Sequence, residues 1–245
     1  MIHNLYSLLD LLFPRHCVSC NCSGYLLCPD CQTAIQPIMP PFCLHCGLPL
    51  SSSMYSMQCQ PCRSVPTIRT HLTGLRAVGL YETPLDTCIW TLKYKQQRGL
   101  AEPLGMLLAQ AFRRYQLKVD LVIPVPLHKE RQQQRGDNQS LLLAKVCARE
   151  LALPIATDGL TRIRATPAQI SLAAEQRYQN VQGAFHYEPS SATPTVLNRR
   201  ILIIDDVSTT GSTLAACANP LWRAGAREVW GLVLARPWKQ ALRWK

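Results

Sequence analysis

The chain has 245 residues, of which 47% are hydrophobic and 17% charged, with 12 cysteines, 18 prolines and a formal net charge of +11. A charged share below the usual ~25% excludes a disordered, charge-rich polypeptide, and no apolar run reaches the roughly 18 residues that would cross a bilayer, so no membrane insertion is expected. Residues 1–14 lack a basic leader and Asp10 interrupts their apolar stretch, which makes them a poor secretory signal; a cysteine-rich chain without one is expected in the reducing cytoplasm, binding metal rather than forming disulfides.

Charge and cysteine separate along the chain. Residues 1–66 hold nine cysteines and only Arg15, Arg63, Asp10 and Asp30, a net charge of zero, so all of the excess lies in residues 67–245. This shift, with Pro66, places a boundary near residues 63–70 and predicts two domains, 1–66 and 67–245. The head contains four C-x2-C pairs: Cys17 and Cys20, Cys28 and Cys31, Cys43 and Cys46, Cys59 and Cys62. Zinc favours four soft ligands in a tetrahedron, and a two-residue gap lets both thiolates of one turn face the same ion. Gly47 directly after Cys46 suits a knuckle that needs positive φ. The eight paired cysteines are therefore expected to hold two structural zinc ions, in sequential or crossed pairing, with Cys22 left over. Closed four-thiolate sites serve structure or protein docking, and the uncharged head has few aromatics for a nucleic-acid surface of its own.

The body reads as alternating strands and helices. A strand is expected at 75–81, helices at 85–93 and 100–115, and a buried strand at 119–125. A helix follows at 140–151, a strand at 199–204, a helix at 212–224 that Pro220 must kink or split, and a buried strand at 229–235. This order predicts an α/β fold with a parallel sheet and helices on its faces, preceded by the small zinc-binding domain. Ligands of such folds sit at the carboxyl ends of the strands.

One strand end concentrates the chemistry. Four aliphatics, 201–204, run into Asp205 and Asp206, then Val207, Ser208, Thr209, Thr210, Gly211, Ser212 and Thr213. Adjacent carboxylates are costly unless they meet cations or hydroxyls. The following small, hydroxylated loop opens a helix whose amide groups and dipole suit a phosphate. A ribose 5-phosphate satisfies both halves, with the carboxylates accepting bonds from ring hydroxyls and the loop holding the phosphate.

This run resembles the 5-phosphoribosyl-1-pyrophosphate (PRPP) motif of type I phosphoribosyltransferases, and with the cysteine-rich head the chain resembles the ComF family, associated with competence and DNA uptake. Leu92-Lys93-Tyr94-Lys95 is similar to that family's LKY segment. The stretch from Pro124 through His128 and Lys129, with Arg131, Arg135-Gly136 and Asn138-Gln139, is similar to its central block. Thr166, Gln169, Arg177, Asn180 and Gly183-Ala184-Phe185 are similar to its mobile-loop block. Asp137 departs from the aromatic residue expected after Arg-Gly. The resemblance implies a type I phosphoribosyltransferase-like domain behind a double zinc ribbon. Asp205 and Asp206 would hold the ribose hydroxyls as the catalytic acids, and residues 208–213 the 5-phosphate. Leu127, His128 and Lys129 would approach pyrophosphate, Arg162, Arg164 or Arg177 would close over it, and magnesium would bridge pyrophosphate and ribose.

The resulting expectation is a cytoplasmic protein of DNA uptake and natural transformation that binds PRPP or ribose 5-phosphate and handles incoming single-stranded DNA, with competence or recombination proteins as partners. Two alternatives stay open: a salvage phosphoribosyltransferase whose acceptor the sequence does not name, and a zinc-ribbon adaptor that senses PRPP. The basic aromatic tail with Arg236, Trp238, Lys239, Arg243, Trp244 and Lys245 is a candidate single-strand contact or a segment packed on the body.

Overall fold

The computed structural model describes residues 14–50, 57–64, 71–165, 179–189, 191 and 194–237. Thr166, Gln169, Arg177 and the tail from Trp238 lie outside the described residues, as does the stretch 65–70 where the domain boundary is expected.

In the head the described helices are α1 (Pro29–Thr33) and α2 (Gln60–Ser64). The body runs β1 (Gly74–Leu80), α3 (Leu85–Tyr94), a 3-10 turn at Arg98–Leu100, α4 (Ala101–Arg114), β2 (Leu121–Pro124), α5 (Lys129–Arg135) and α6 (Gln139–Leu151). It continues with β3 (Leu160–Arg162), β4 (Phe185–Tyr187), β5 (Arg200–Val207), α7 (Ser212–Arg223) and β6 (Glu228–Arg236).

Four strands form one parallel sheet in the order β1-β6-β5-β2. Side chains alternate across a strand, and β5 divides its aliphatics accordingly. Leu202 and Ile204 pack with α3, α4 and α6, whereas Ile201 and Ile203 pack with Leu214, Cys217 and Leu221 of α7. Both faces are buried, which explains why the strands read as continuous apolar runs. Each fully buried aliphatic contributes about 1.5–3 kcal/mol.

Each strand and helix expected in the body is present, with ends displaced by up to three residues. Pro220 does not split α7, which is continuous through it; only one turn remains beyond the lost amide bond. Three further elements escape sequence patterning. Helix α5 has no apolar residue and so no periodicity, and β3 and β4 have three residues each, joined as an antiparallel pair. Among the described residues no helix is long and apolar enough to cross a membrane.

The head covers the outer edge of β1. The Leu75 amide donates to the His45 carbonyl at 2.7 Å and the Leu80 amide to that of Gln36 at 3.1 Å. Arg114 and Tyr115 donate to the Val78 and Ala77 carbonyls at 2.9 and 3.1 Å. Leu27 and Ile35 of the head join the core on the α3–α4 side, and Ile38 joins the opposite one. Arg76 is buried at this seam, with its guanidinium 5.0 Å from the Phe42 ring and 5.4 Å from that of Trp230. It donates to the Leu44 carbonyl at 2.9 Å.

Candidate functional site

The central strand β5 ends in the acid pair. Asp206 is buried, and its Oδ1 lies 2.8 Å from Lys93 Nζ of α3 and accepts the Val207 amide at 2.6 Å. Lys93 is thus no solvated helix-face residue. Lys95, two positions on, is exposed, with its ammonium 5.4 Å from the Trp90 ring. Asp205 Oδ1 accepts the Ser140 hydroxyl at 2.8 Å and the Asp206 amide at 3.0 Å. Burial, and then the charge of Asp206, push the Asp205 carboxyl up to about 7 from 3.8. Ser140, at the start of α6, carries no signal in the sequence that separates it from any helix-opening serine.

The loop after the acids is fixed from two sides. The Ser208 amide donates to the Ala235 carbonyl at 3.2 Å, and Arg236 donates to the Thr209 carbonyl at 2.6 Å. Arg236 is fully buried at the end of β6, so it is no member of an exposed basic tail, although its place beside Trp238 and Lys239 suggests one. Gly211 occupies the N-cap of α7 with φ +84°, a conformation that L residues rarely adopt, and provides no side-chain cap. Thr210 Oγ1 and Ser212 Oγ lie 2.7 Å apart across this turn. A loop of small residues thus opens onto the positive end of a 12-residue helix beside two carboxylates.

The central block reaches the same sheet end from β2. The Val125 amide donates to the Ile204 carbonyl at 2.9 Å, and residues 126–128 lead into α5. Asn138 caps α6 and donates to the Val125 carbonyl at 3.0 Å, which closes the block on itself. Leu127 and His128 are half-buried and Lys129 is exposed. His128 Nδ1 is buried, 3.8 Å from Glu130. The unexpected Asp137 is engaged by the Arg98 guanidinium.

Of the three arginines expected to close over the site, two are described. Arg162 ends β3, with its guanidinium 5.4 Å from the Phe185 ring. Burial holds it below the usual arginine range and the nearby Arg131 charge adds to this, while Asp205 opposes both. Arg164 donates to the Asn180 and Gln182 carbonyls at 3.1 and 2.7 Å, tying the two described ends of this loop together.

The cysteines form two clusters, Cys17, Cys20, Cys28 and Cys31, and Cys43, Cys46, Cys59 and Cys62, each with its four sulfurs within 4.8 Å of one another. This is the sequential pairing. Thiolates about 2.3 Å from one zinc ion stand about 3.8 Å apart in a tetrahedron. The Cys20–Cys28 and Cys46–Cys59 sulfur separations are 3.5 and 3.6 Å. The amides of Cys31 and Cys46 donate to the sulfurs three residues back, at 3.4 and 3.5 Å, the bond a zinc knuckle makes. Gly47 turns out of the second knuckle at φ +68°, and a Cβ there would stand 2.4 Å from the Leu75 carbonyl oxygen. Both sets fit zinc. Cys22 is exposed and stands outside both four-sulfur clusters.

Comparison with known proteins accords with both halves of this geometry. A double zinc ribbon domain matches residues 8–63, and a phosphoribosyl transferase domain matches residues 92–245. Competence protein F of Haemophilus influenzae is 34% identical over 235 residues, covering 91% of this chain and 98% of its own. DNA utilization protein YhgH of Escherichia coli K12 is 35% identical over 213 residues, covering 84% of this chain and 89% of its own. Competence protein ComFC of Bacillus subtilis is 26% identical over 200 residues, covering 81% and 79%. With the acid pair and glycine-capped loop at the end of a parallel strand, and two tetrathiolate clusters ahead of them, the chain belongs to the ComF family, a double zinc ribbon joined to a phosphoribosyltransferase domain.

Proposed function

We propose that this chain acts in DNA uptake and utilisation during natural transformation, through a body that binds PRPP or ribose 5-phosphate with magnesium and handles single-stranded DNA. The observation that carries the ligand assignment is the conjunction at the end of β5: Asp205 and Asp206, then a loop of hydroxyl residues turning at Gly211 into α7. In this reading Asp205 and Asp206 accept bonds from the ribose hydroxyls, and Ser208 through Thr213 surround the 5-phosphate. Leu127, His128 and Lys129 face the pyrophosphate, and Arg162 at the end of β3, or Arg164 or Arg177 in the stretch that follows it in sequence, closes over it. Magnesium is held mainly by ligand oxygens and water. Residues 1–66 form a zinc-dependent head on the body of residues 67–245, and the protein works in the cytoplasm with competence or recombination proteins.

The DNA part rests on the names of the relatives and on two physical features. The whole net charge of +11 comes from residues 67–245. On α3, Trp90 and Tyr94 are 49% and 52% exposed with ring centroids 5.7 Å apart, and Lys95 stands beside them. Exposed rings beside cations suit stacked bases and phosphates.

Calorimetry with ribose 5-phosphate and PRPP in magnesium tests the ligand assignment. The wild type is expected to bind, and Asp205→Asn with Asp206→Asn to bind at least about a hundredfold more weakly, because two charge-assisted hydrogen bonds at ~1.5–3 kcal/mol each are lost. Unchanged affinity in the folded double variant refutes it. A salt titration of single-stranded DNA binding tests the rest, with an expected log–log slope of about −0.7 per phosphate neutralised. Absence of salt-sensitive binding removes direct DNA handling.

A further inference from the structure

The second cysteine cluster is fastened to the body in an unusual way. Three consecutive carbonyls of its knuckle each accept a donor from the body. Leu44 accepts the Arg76 guanidinium at 2.9 Å, His45 accepts the Leu75 amide at 2.7 Å, and Cys46 accepts Nη1 of Arg236. Cys46 is itself one of the four sulfur donors. The same Arg236 guanidinium donates through Nη2 to the Thr209 carbonyl of the loop after the acid pair, at 2.6 Å. Arg236 is fully buried, so neither bond is exchanged with water. A zinc ion with four thiolates retains two uncompensated negative charges, and among the described residues Arg76 and Arg236 are buried cations bonded to that knuckle. Among the described residues no single side chain is hydrogen-bonded to both the first cluster and the loop after the acids; Cys17, Cys28 and Cys31 belong instead to the apolar core on the α3–α4 side.

We propose that Arg236 is a positioning residue that makes the phosphate loop depend on zinc in the 43/46/59/62 cluster, so that zinc there and a phosphoribosyl ligand in the crevice strengthen each other's binding. The fork of a guanidinium fixes two acceptors in one plane. Zinc holds the knuckle carbonyl at one end of the fork, and the other end then holds the Thr209 carbonyl, which sets the direction of the amides that follow it toward the phosphate. Without the metal the knuckle releases Arg236, and the loop loses its buried anchor. The proposal rests on the phosphoribosyl assignment above, and it adds the metal as the partner of that site.

Reciprocity gives a test that needs no substitution. If zinc raises the ligand's affinity by some factor, the ligand raises zinc affinity by the same factor. The full chain carrying both zinc ions is titrated with a chromogenic chelator, with and without saturating ribose 5-phosphate in excess magnesium. Ribose 5-phosphate is the probe because the pyrophosphate of PRPP would itself compete for zinc. One of the two ions is expected to bind about fivefold or more tightly with the sugar phosphate present, and the other unchanged. Cys31→Ser, which disables the first cluster, is expected to leave the protected ion in place. Arg236→Lys keeps the charge but loses the fork, and Arg236→Met loses both. Each is expected to abolish the protection and weaken ribose 5-phosphate binding, with zinc stoichiometry and circular dichroism reporting whether the variant folds. If the wild type binds ribose 5-phosphate and neither ion is protected, the inference is overturned while the phosphoribosyl assignment stands. If neither ribose 5-phosphate nor PRPP binds, both fall.

Discussion

Asp205 sits in an environment that opposes its charge, so removing that charge should stabilise the protein while disabling the site. In Asp205→Asn the new Oδ1 still accepts the Ser140 hydroxyl and the Asp206 amide, because both donors point at that one oxygen. Lys93 is then left to neutralise Asp206 alone. The magnitude follows from linkage. Folding raises the Asp205 carboxyl from 3.8 to about 7, mainly through burial. Between those values the folded state holds more protons than the unfolded one, so stability falls as pH rises. The full benefit of the protonated acid is present below pH 3.8 and gone above about 7. At about 1.4 kcal/mol per pH unit, that interval gives a ceiling of about 4 kcal/mol. Each kcal/mol moves Tm by about 2–4 °C in a chain of this size. Thermal melts of the zinc-loaded protein should therefore show Asp205→Asn more stable than wild type by about 4 °C or more at pH 8. The gap should narrow steadily toward pH 4. Equal melting temperatures at pH 8, or a gap that does not change with pH, would refute the assignment of Asp205 as the strained acid.

Lys93→Met removes the cation 2.8 Å from Asp206, and is expected to raise Asp205 further, so the pH at which ribose 5-phosphate binding is half lost moves above that of wild type. Cys59→Ser should reduce zinc from two ions to one per chain by elemental analysis and leave the first cluster loaded, whereas Cys22→Ser should retain both. Trp90→Ala should weaken binding to an oligothymidylate by roughly tenfold, a stacking loss of ~1–3 kcal/mol, and leave ribose 5-phosphate affinity unchanged in calorimetry.

The parallel sheet was legible because both of its faces are buried, which makes runs such as Ile201 through Ile204 continuously apolar. The metal clusters were legible because their ligands are close in sequence, and Asp205 and Asp206 because they interrupt an aliphatic strand just before a glycine-turned loop. What stayed hidden depends on contacts between distant segments. Ser140 lies 65 positions from the carboxylate it bonds, and Arg236 lies 190 from the Cys46 carbonyl. Ser140 has no neighbour in sequence that marks it, and the basic, aromatic neighbours of Arg236 suggest an exposed tail rather than a buried link. Nothing in the sequence separates Lys93 from Lys95, for a related reason. Helix α3 faces the core on one side and solvent on the other, and only the packed sheet turns Lys93 toward Asp206 while Lys95 stays outside.

The head's grip on β1 bears on how the chain must be made. The strand β1 ends the sheet, and its outer amides at Leu75 and Leu80 are taken by carbonyls of the cysteine-rich segment. An uncovered edge of this kind is a template on which other chains can pair. The residues that cover it are held in shape by two clusters of four cysteines, which a metal ion draws together as thiolates and which have nothing to join them without it. Newly synthesised chain that meets no zinc therefore presents an open, apolar strand as well as a loose head. Recombinant production in zinc-poor medium should drive the whole body into aggregates, although every residue of the sheet is intact.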